Sequence, residues 1–196
     1  MSGRALKIAF AIMLAAVIGT GGYVFVLKQK EEEQARRIAY TQPVSPPAAG
    51  PVERVPLYIA YDFEGVLRPR DVQMALPGEP SQRARAVLHA LLTEYTGDPS
   101  PHKLAPGADV RAVFLVSDNL AVVDTNATFA DGHRSGVFVE TLTVASVVKT
   151  LAANLPGVRR VKILVEGKER ETLAGHADLM TFYDVGRIDE LMTQLE

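Results

Sequence analysis

Residues 136–158 read GVFVETLTVASVVKTLAANLPGV, and their spacing decides the fold. Val144, Val147, Val148, Leu151 and Leu155 fall at offsets 0, 3, 4, 7 and 11, the repeat of one apolar helix face. The spacing predicts a helix from about Gly136 to Asn154, and Pro156-Gly157 ends it. Immediately afterwards Val161, Ile163 and Val165 alternate with Arg160, Lys162 and Leu164, the period of a half-buried strand that turns at Glu166-Gly167-Lys168. Beyond Gly175-His176 the chain reads as loop, then as a short terminal helix from Ile188 to Leu195.

Working upstream, Val110–Val116 and Leu120–Thr125 are two β-branched runs separated by Ser117-Asp118-Asn119, which predicts a hairpin. Before them Ala84, Val87, Leu88, Leu91, Leu92 and Tyr95 make a second helical face, with Ser81 as the expected N-cap and Gly97 and Pro99 as the stop. Leu57, Ile59 and Tyr61 alternate with Tyr58, Ala60 and Asp62, giving a first strand that turns at Glu64-Gly65 into Val66–Leu76. The order β-β-α-β-β-α-β implies an α+β domain, a small sheet with both helices packed on one face.

The amino-terminal third has a different character. Ile8 to Leu27 is a run of 20 residues with no charged side chain, bounded by Arg4 and Lys7 and by Lys28 and Lys30. As a helix it is about 30 Å long, the thickness of a bilayer core. The expected organisation is a short tail (1–7), a transmembrane helix (8–27), a polar helical stalk (28–41), a proline-rich tether (42–56) and one domain (57–196). A cleaved signal peptide is the competing reading, since Gly19-Thr20-Gly21 imitates a small-x-small site, although the apolar run continues past it. Residues 1–56 carry 7 basic and 4 acidic groups, and 57–196 carry 14 and 19. Positive charge flanks both ends of the apolar run, so charge alone leaves the orientation open.

Chemistry-bearing motifs are sparse. With no cysteine, disulfides, thiolate metal sites and thiol nucleophiles are excluded. A net charge of −2 argues against a nucleic-acid binder. No G-x-S-x-G, GxxxxGK[ST] or GxGxxG occurs, and Ser117-Asp118 and Ser135-Gly136 read as a turn and a helix N-cap. The four histidines lack paired helical spacing, and Asp131 with His133 or His176 with Asp178 supplies only two ligands. No metal and no cofactor is therefore expected. Glu140 falls in the first turn of its helix, where the dipole favours a carboxylate, and no basic residue pairs with it in sequence. Ser146 and Thr150 share a helix face four residues apart, placed to bond neighbouring backbone or to pack against the sheet.

Taken together, residues 136–151, Leu155-Pro156-Gly157-Val158, Val161–Gly167 and Glu171–His176 resemble the GerMN domain family of sporulation and spore germination. The likeness extends to Val123–Phe129, Leu57-Tyr58, Gly65-Val66-Leu67 and Ala105-Pro106-Gly107, and so covers roughly 57–180; Asn126 and the Asp131-Gly132-His133 loop depart from it. The resemblance implies a ring-building-like, exocytoplasmic module with no catalytic residue, anchored N-in in the inner membrane through residues 8–27. Partners are then cell-envelope proteins or a second copy, with Asp124, Glu140, Ser146, Thr150, Gly167, Gly175 and His176 as structural or interaction positions. An envelope enzyme or ligand-binding domain acting at peptidoglycan is the alternative.

Overall fold

A computed structural model describes residues 50–117 and 119–195. The expected membrane helix, stalk and most of the tether lie outside these residues. Strands β1 (Val52–Tyr61) and β2 (Val66–Ala75) form an antiparallel hairpin, followed by helix α1 (Pro80–Thr96), strands β3 (Val110–Ser117) and β4 (Leu120–Thr125), a short helix α2 (Ala127–Asp131), and helix α3 (Val137–Asn154). Strands β5 (Arg160–Val165) and β6 (Tyr183–Asp184) and helix α4 (Val185–Leu195) complete the domain.

The α+β class holds, but the single sheet does not. There are two sheets, the β1-β2 hairpin and a four-stranded sheet in the order β3-β4-β5-β6, with β4 and β5 parallel across the crossover that contains α3. The sheets stay separate because the inner edge of β1 is taken by helix side chains. Thr150 Oγ1 accepts from the Tyr58 N–H at 2.9 Å, Ser146 Oγ donates to the Tyr58 carbonyl at 2.6 Å, Tyr95 OH accepts from the Ala60 N–H at 2.8 Å, and Asn154 Nδ2 donates to the Pro56 carbonyl at 2.8 Å. With those groups satisfied, no further strand is needed there.

This geometry also explains why β1 begins at Val52 and not at Leu57, inside the segment read as tether. Pro56 lies opposite Asp71, and its ring nitrogen faces the helix side of β1, so its missing N–H removes no ladder bond.

Every residue of the predicted α1 face is buried: Ala84, Val87, Leu88, Leu91, Leu92 and Tyr95. Its cap is Glu79 instead of Ser81, because Pro80 takes the first helical position and the Glu79 carboxylate accepts from the N–H groups of Ser81 and Gln82. Helix α3 buries the expected Val144, Val147, Val148 and Leu151, and also a second side made of Glu140, Thr143, Ser146 and Thr150. It packs closely on β1 along that small polar side. α3 alone among the described helices is long and apolar enough to cross a membrane, and its burial marks it as the core helix.

Three local expectations also change. Asn126, read as a departure from the family pattern, caps α2 by accepting from the Phe129 N–H at 3.0 Å, and Asp131, read as the start of a loop, is the last residue of that helix. Gly136, not Ser135, occupies the α3 N-cap, with no side chain capping it. The terminal helix starts at Val185 because Asp184 Oδ1 accepts from Gly186 N–H.

Candidate functional site

The amino-terminal end of α3 gathers most of the polar side chains with chemical potential. Glu140 is fully buried, and its carboxylate accepts from the backbone N–H groups of Gly136 (3.0 Å), Ala174 (3.0 Å), His176 (2.9 Å) and Ala177 (2.9 Å), and meets His176 Nδ1 at 2.9 Å. Burial opposes ionisation, yet these bonds prevail and bring its pKa to about 2. A basic partner therefore does exist for Glu140, 36 residues away in sequence. A carboxylate held this way anchors loop 174–177 and is a poor general base, since both oxygens are occupied and the proton affinity is low. Gly175, with φ +120°, makes the bend that turns these N–H groups inward.

One turn further along α3 lies a cluster that sequence spacing did not reveal. Thr143 Oγ1 is 2.7 Å from His102 Nε2 and 2.7 Å from His133 Nε2, and all three residues are buried. His102 Nδ1 meets Asp62 Oδ1 at 2.5 Å, Arg134 pairs with the other oxygen of Asp62, and His133 Nδ1 donates to the Arg134 carbonyl at 2.7 Å. Burial raises the Asp62 pKa, but the bonds from His102 and Arg134 outweigh it and hold the carboxyl below its usual range. Burial depresses the pKa of His133. Carboxylate, imidazole and hydroxyl are aligned as in a nucleophilic triad, but Thr143 is out of solvent reach and its oxygen already has two ring partners and the Val139 carbonyl at 2.9 Å.

Above both clusters sits a shallow cleft of about 400 Å³ lined by Asp62, Arg134, Val137, Phe138 and Leu142. Two of its lining side chains are apolar and exposed, Val137 at 62% and Phe138 at 59%, and Phe63 at the β1–β2 turn is 100% accessible. A Cβ on Gly65 would lie 3.9 Å from the Phe138 ring, so the turn and the helix end form one tip.

The other positions singled out by the sequence have separate duties. Asp124 Oδ1 accepts from the Gly167 N–H at 2.6 Å and thereby fixes the β5 turn, in which Glu166 and Gly167 both have positive φ. Burial raises the pKa of Asp124. Ser146 and Thr150 serve the β1 edge. The ligand pairs considered from sequence do not assemble: Asp131 pairs with Arg170, His133 with Thr143, His176 with Glu140, and Asp178 accepts from Met180 N–H. Among the described residues no group of three or more His, Asp or Glu side chains is placed to hold a metal ion. Lys162 is a buried charge that sequence reasoning missed; its Nζ donates to the carbonyls of Leu179 and Met180 and pairs with Glu169, tying loop 178–182 over β5.

Comparison with solved structures finds similar chains at low identity. The tandem GerMN domains of the sporulation protein GerM from Bacillus subtilis superpose with a TM-score of 0.50 at 16% identity, covering 67% of this chain and 45% of that one. The chain thus spans less than half of that tandem structure. The first GerMN domain of the same protein gives 0.43 at 17%, covering 66% and 94%. A Clostridium perfringens protein described as a lipoprotein gives 0.47 at 15%, covering 71% and 91%. No curated protein matches the sequence. The Germane family, described as sporulation and spore germination, matches residues 56–171, more than half of the chain, from within β1 past the His102 cluster and Glu140 itself to just beyond the β5 turn: the chain belongs to this GerMN-domain family.

Proposed function

We propose that this protein is a non-catalytic, membrane-anchored module whose domain lies outside the cytoplasm and assembles with envelope proteins or with a second copy of itself. The observation that carries this reading is the contrast at the end of α3. The polar groups capable of chemistry there are consumed in internal bonds, whereas Phe63, Val137 and Phe138 are left facing solvent. Exposed apolar side chains are favourable when a partner removes them from water. An anchor at residues 8–27 raises the effective concentration of the tip at the membrane surface, so contacts too weak for free fragments suffice there.

The test is crosslinking in intact cells with a photoreactive residue at position 63 or 138, beside one at Arg70 on the far edge of β2. Adducts from 63 and 138 but not from 70, with the adduct from 63 abolished by Phe138→Ser and the adduct from 138 abolished by Phe63→Ser in chains that stay folded, support assembly through the tip. Equal labelling from all three positions overturns it. Loss of phenotype in His176→Ala with unchanged crosslinks and unchanged thermal stability would favour ligand binding instead; the stability readout is needed because the His176 side chain, 42% exposed, also bonds Glu140. Protease added to spheroplasts checks the orientation: the domain should be cut along with a periplasmic control.

A further inference from the structure

We propose that Phe63 is a knob that seats in the cleft lined by Val137 and Phe138 on a second copy of this chain, each tip giving one ring and receiving one. The inference rests on the reading of the tip as an assembly surface and names what docks there. The Phe63 side chain is wholly in water, so packing within its own domain gives no reason for an aromatic ring at that position. Its backbone is fixed. The Gly65 N–H donates to the Tyr61 carbonyl at 2.9 Å, and Gly65, with φ +73°, closes the turn. One residue before the ring, the Asp62 N–H donates to the Pro101 carbonyl at 3.1 Å, and the Asp62 carboxylate is bonded to His102 and Arg134. The ring is presented on a turn ordered by folding itself, which leaves little conformational freedom to lose on docking.

The receiving half lies on the same tip. Asp62 precedes the ring and also lines the cleft of about 400 Å³, whose apolar wall is Val137, Phe138, Val139 and Leu142. Fully exposed, Phe63 stands outside its own cleft. A knob and a socket side by side on one surface are self-complementary about a two-fold axis that runs between them, where every contact occurs twice. An incoming ring meets the exposed Phe138, and such aromatic pairs add to the gain from leaving water.

Charge permits the same arrangement. The tip carries Asp62 and Glu64 against Arg68 and Arg134, so two copies approach without net repulsion. Glu64 is paired loosely with Arg68, at 3.9 Å, and more than half of the Arg134 side chain is exposed. Docking of Phe63 carries the adjacent Glu64 toward the rim on which Arg134 of the other copy stands. The patch is small for a stable soluble complex, so the contact draws on the high effective concentration of chains that share a membrane.

The chain has no cysteine, so Lys168→Cys supplies a single dye site, exposed and outside the tip. Full-length chains labelled with donor or acceptor are reconstituted without any other protein into phosphatidylcholine vesicles, and energy transfer is followed against surface density. Transfer should exceed that of random encounter. Phe63→Ser removes the knob and Val137→Arg puts a charge in the socket, and each alone should move the curve to a surface density at least about tenfold higher. Mixing Phe63→Ser donors with Val137→Arg acceptors should restore transfer part-way, because one intact socket then faces one intact knob. Both positions are exposed, so the parent's thermal transition should be kept in the same samples; a chain that loses it is replaced by Phe63→Ala or Val137→Lys. Random-encounter transfer in the parent, parent-like transfer in both variants, or no recovery in the mixture would each overturn the exchange. If cells then still yield crosslinks from 63 and 138 to other proteins, assembly through the tip stands and a second copy is the wrong occupant; if they yield none, both readings fall.

Discussion

The two edges of the β1–β2 hairpin present the same kinds of backbone group and resolve them in opposite ways. Along β1, the carbonyl of Pro56, both polar groups of Tyr58 and the N–H of Ala60 are bonded by Asn154, Ser146, Thr150 and Tyr95 from two helices. β2 is the last strand of its sheet, with residues 68–71 exposed, and it carries Arg68, Pro69, Arg70 and Asp71 there. Pro69 stands opposite Tyr58, so its missing N–H falls on the open side and offers nothing to an incoming strand. Charge and proline protect an edge from pairing with another chain. A strand edge can therefore be closed by burial or kept open and made unattractive, and this hairpin uses each method once.

The largest expected effect strikes the helix that supplies the buried solution. Leu151→Asp puts an unpaired charge in the core, and a loss on the order of 5 kcal/mol or more should leave no cooperative thermal transition. A retained transition would show that the domain does not depend on the α3 core face.

Next in size is Glu140→Gln, which replaces an acceptor by an amide facing N–H groups and should cost about 3 kcal/mol in urea unfolding. The sign of its pH dependence follows from its lowered pKa. The carboxylate contributes stability above pH 4.5 that is lost as pH falls through about 2, so the wild-type chain should weaken over that interval and the Gln variant should do so less. Parallel curves would mean that the anchor of loop 174–177 lies elsewhere.

Smaller again are the edge bonds themselves. Thr150→Val keeps shape and leaves the Tyr58 N–H without its acceptor, at an expected cost of roughly 1–3 kcal/mol. Ser146→Ala should cost less, because Tyr95 OH stands 3.4 Å from the same carbonyl that Ser146 serves. Equal, negligible losses for both would remove the distinction between the two edges. On the open side, Pro69→Val should change stability by no more than about 0.5 kcal/mol. Its signature is association: faster aggregation by light scattering than the parent, which identifies Pro69 as the guard of β2. An unchanged rate would assign that protection to the charges alone.

The sequence already contained the elements and much of the core. The helical spacing from Ala84 to Tyr95 and from Val144 to Leu151, and the alternation through Val161, Ile163 and Val165, are local consequences of burying one face, so they are legible without a structure. Gly167 and the turn that follows Val165 are legible for the same reason, since positive φ favours glycine within a few residues.

Tertiary structure alone decided how those elements close on one another. Nothing between Thr150 and Tyr58, 92 residues apart, signals that a hydroxyl will stand in for a neighbouring strand, and so the sequence suggests one sheet where two exist. Glu140 and His176 meet across 36 residues, and Asp62, His102, His133 and Thr143 converge from three loops and a helix. Periodicity records which side of an element faces the core because that choice repeats along the chain. A polar cluster has no repeat; its members are brought together by packing of distant segments, and a burial that requires every donor and acceptor to be matched selects their positions only once the fold is complete.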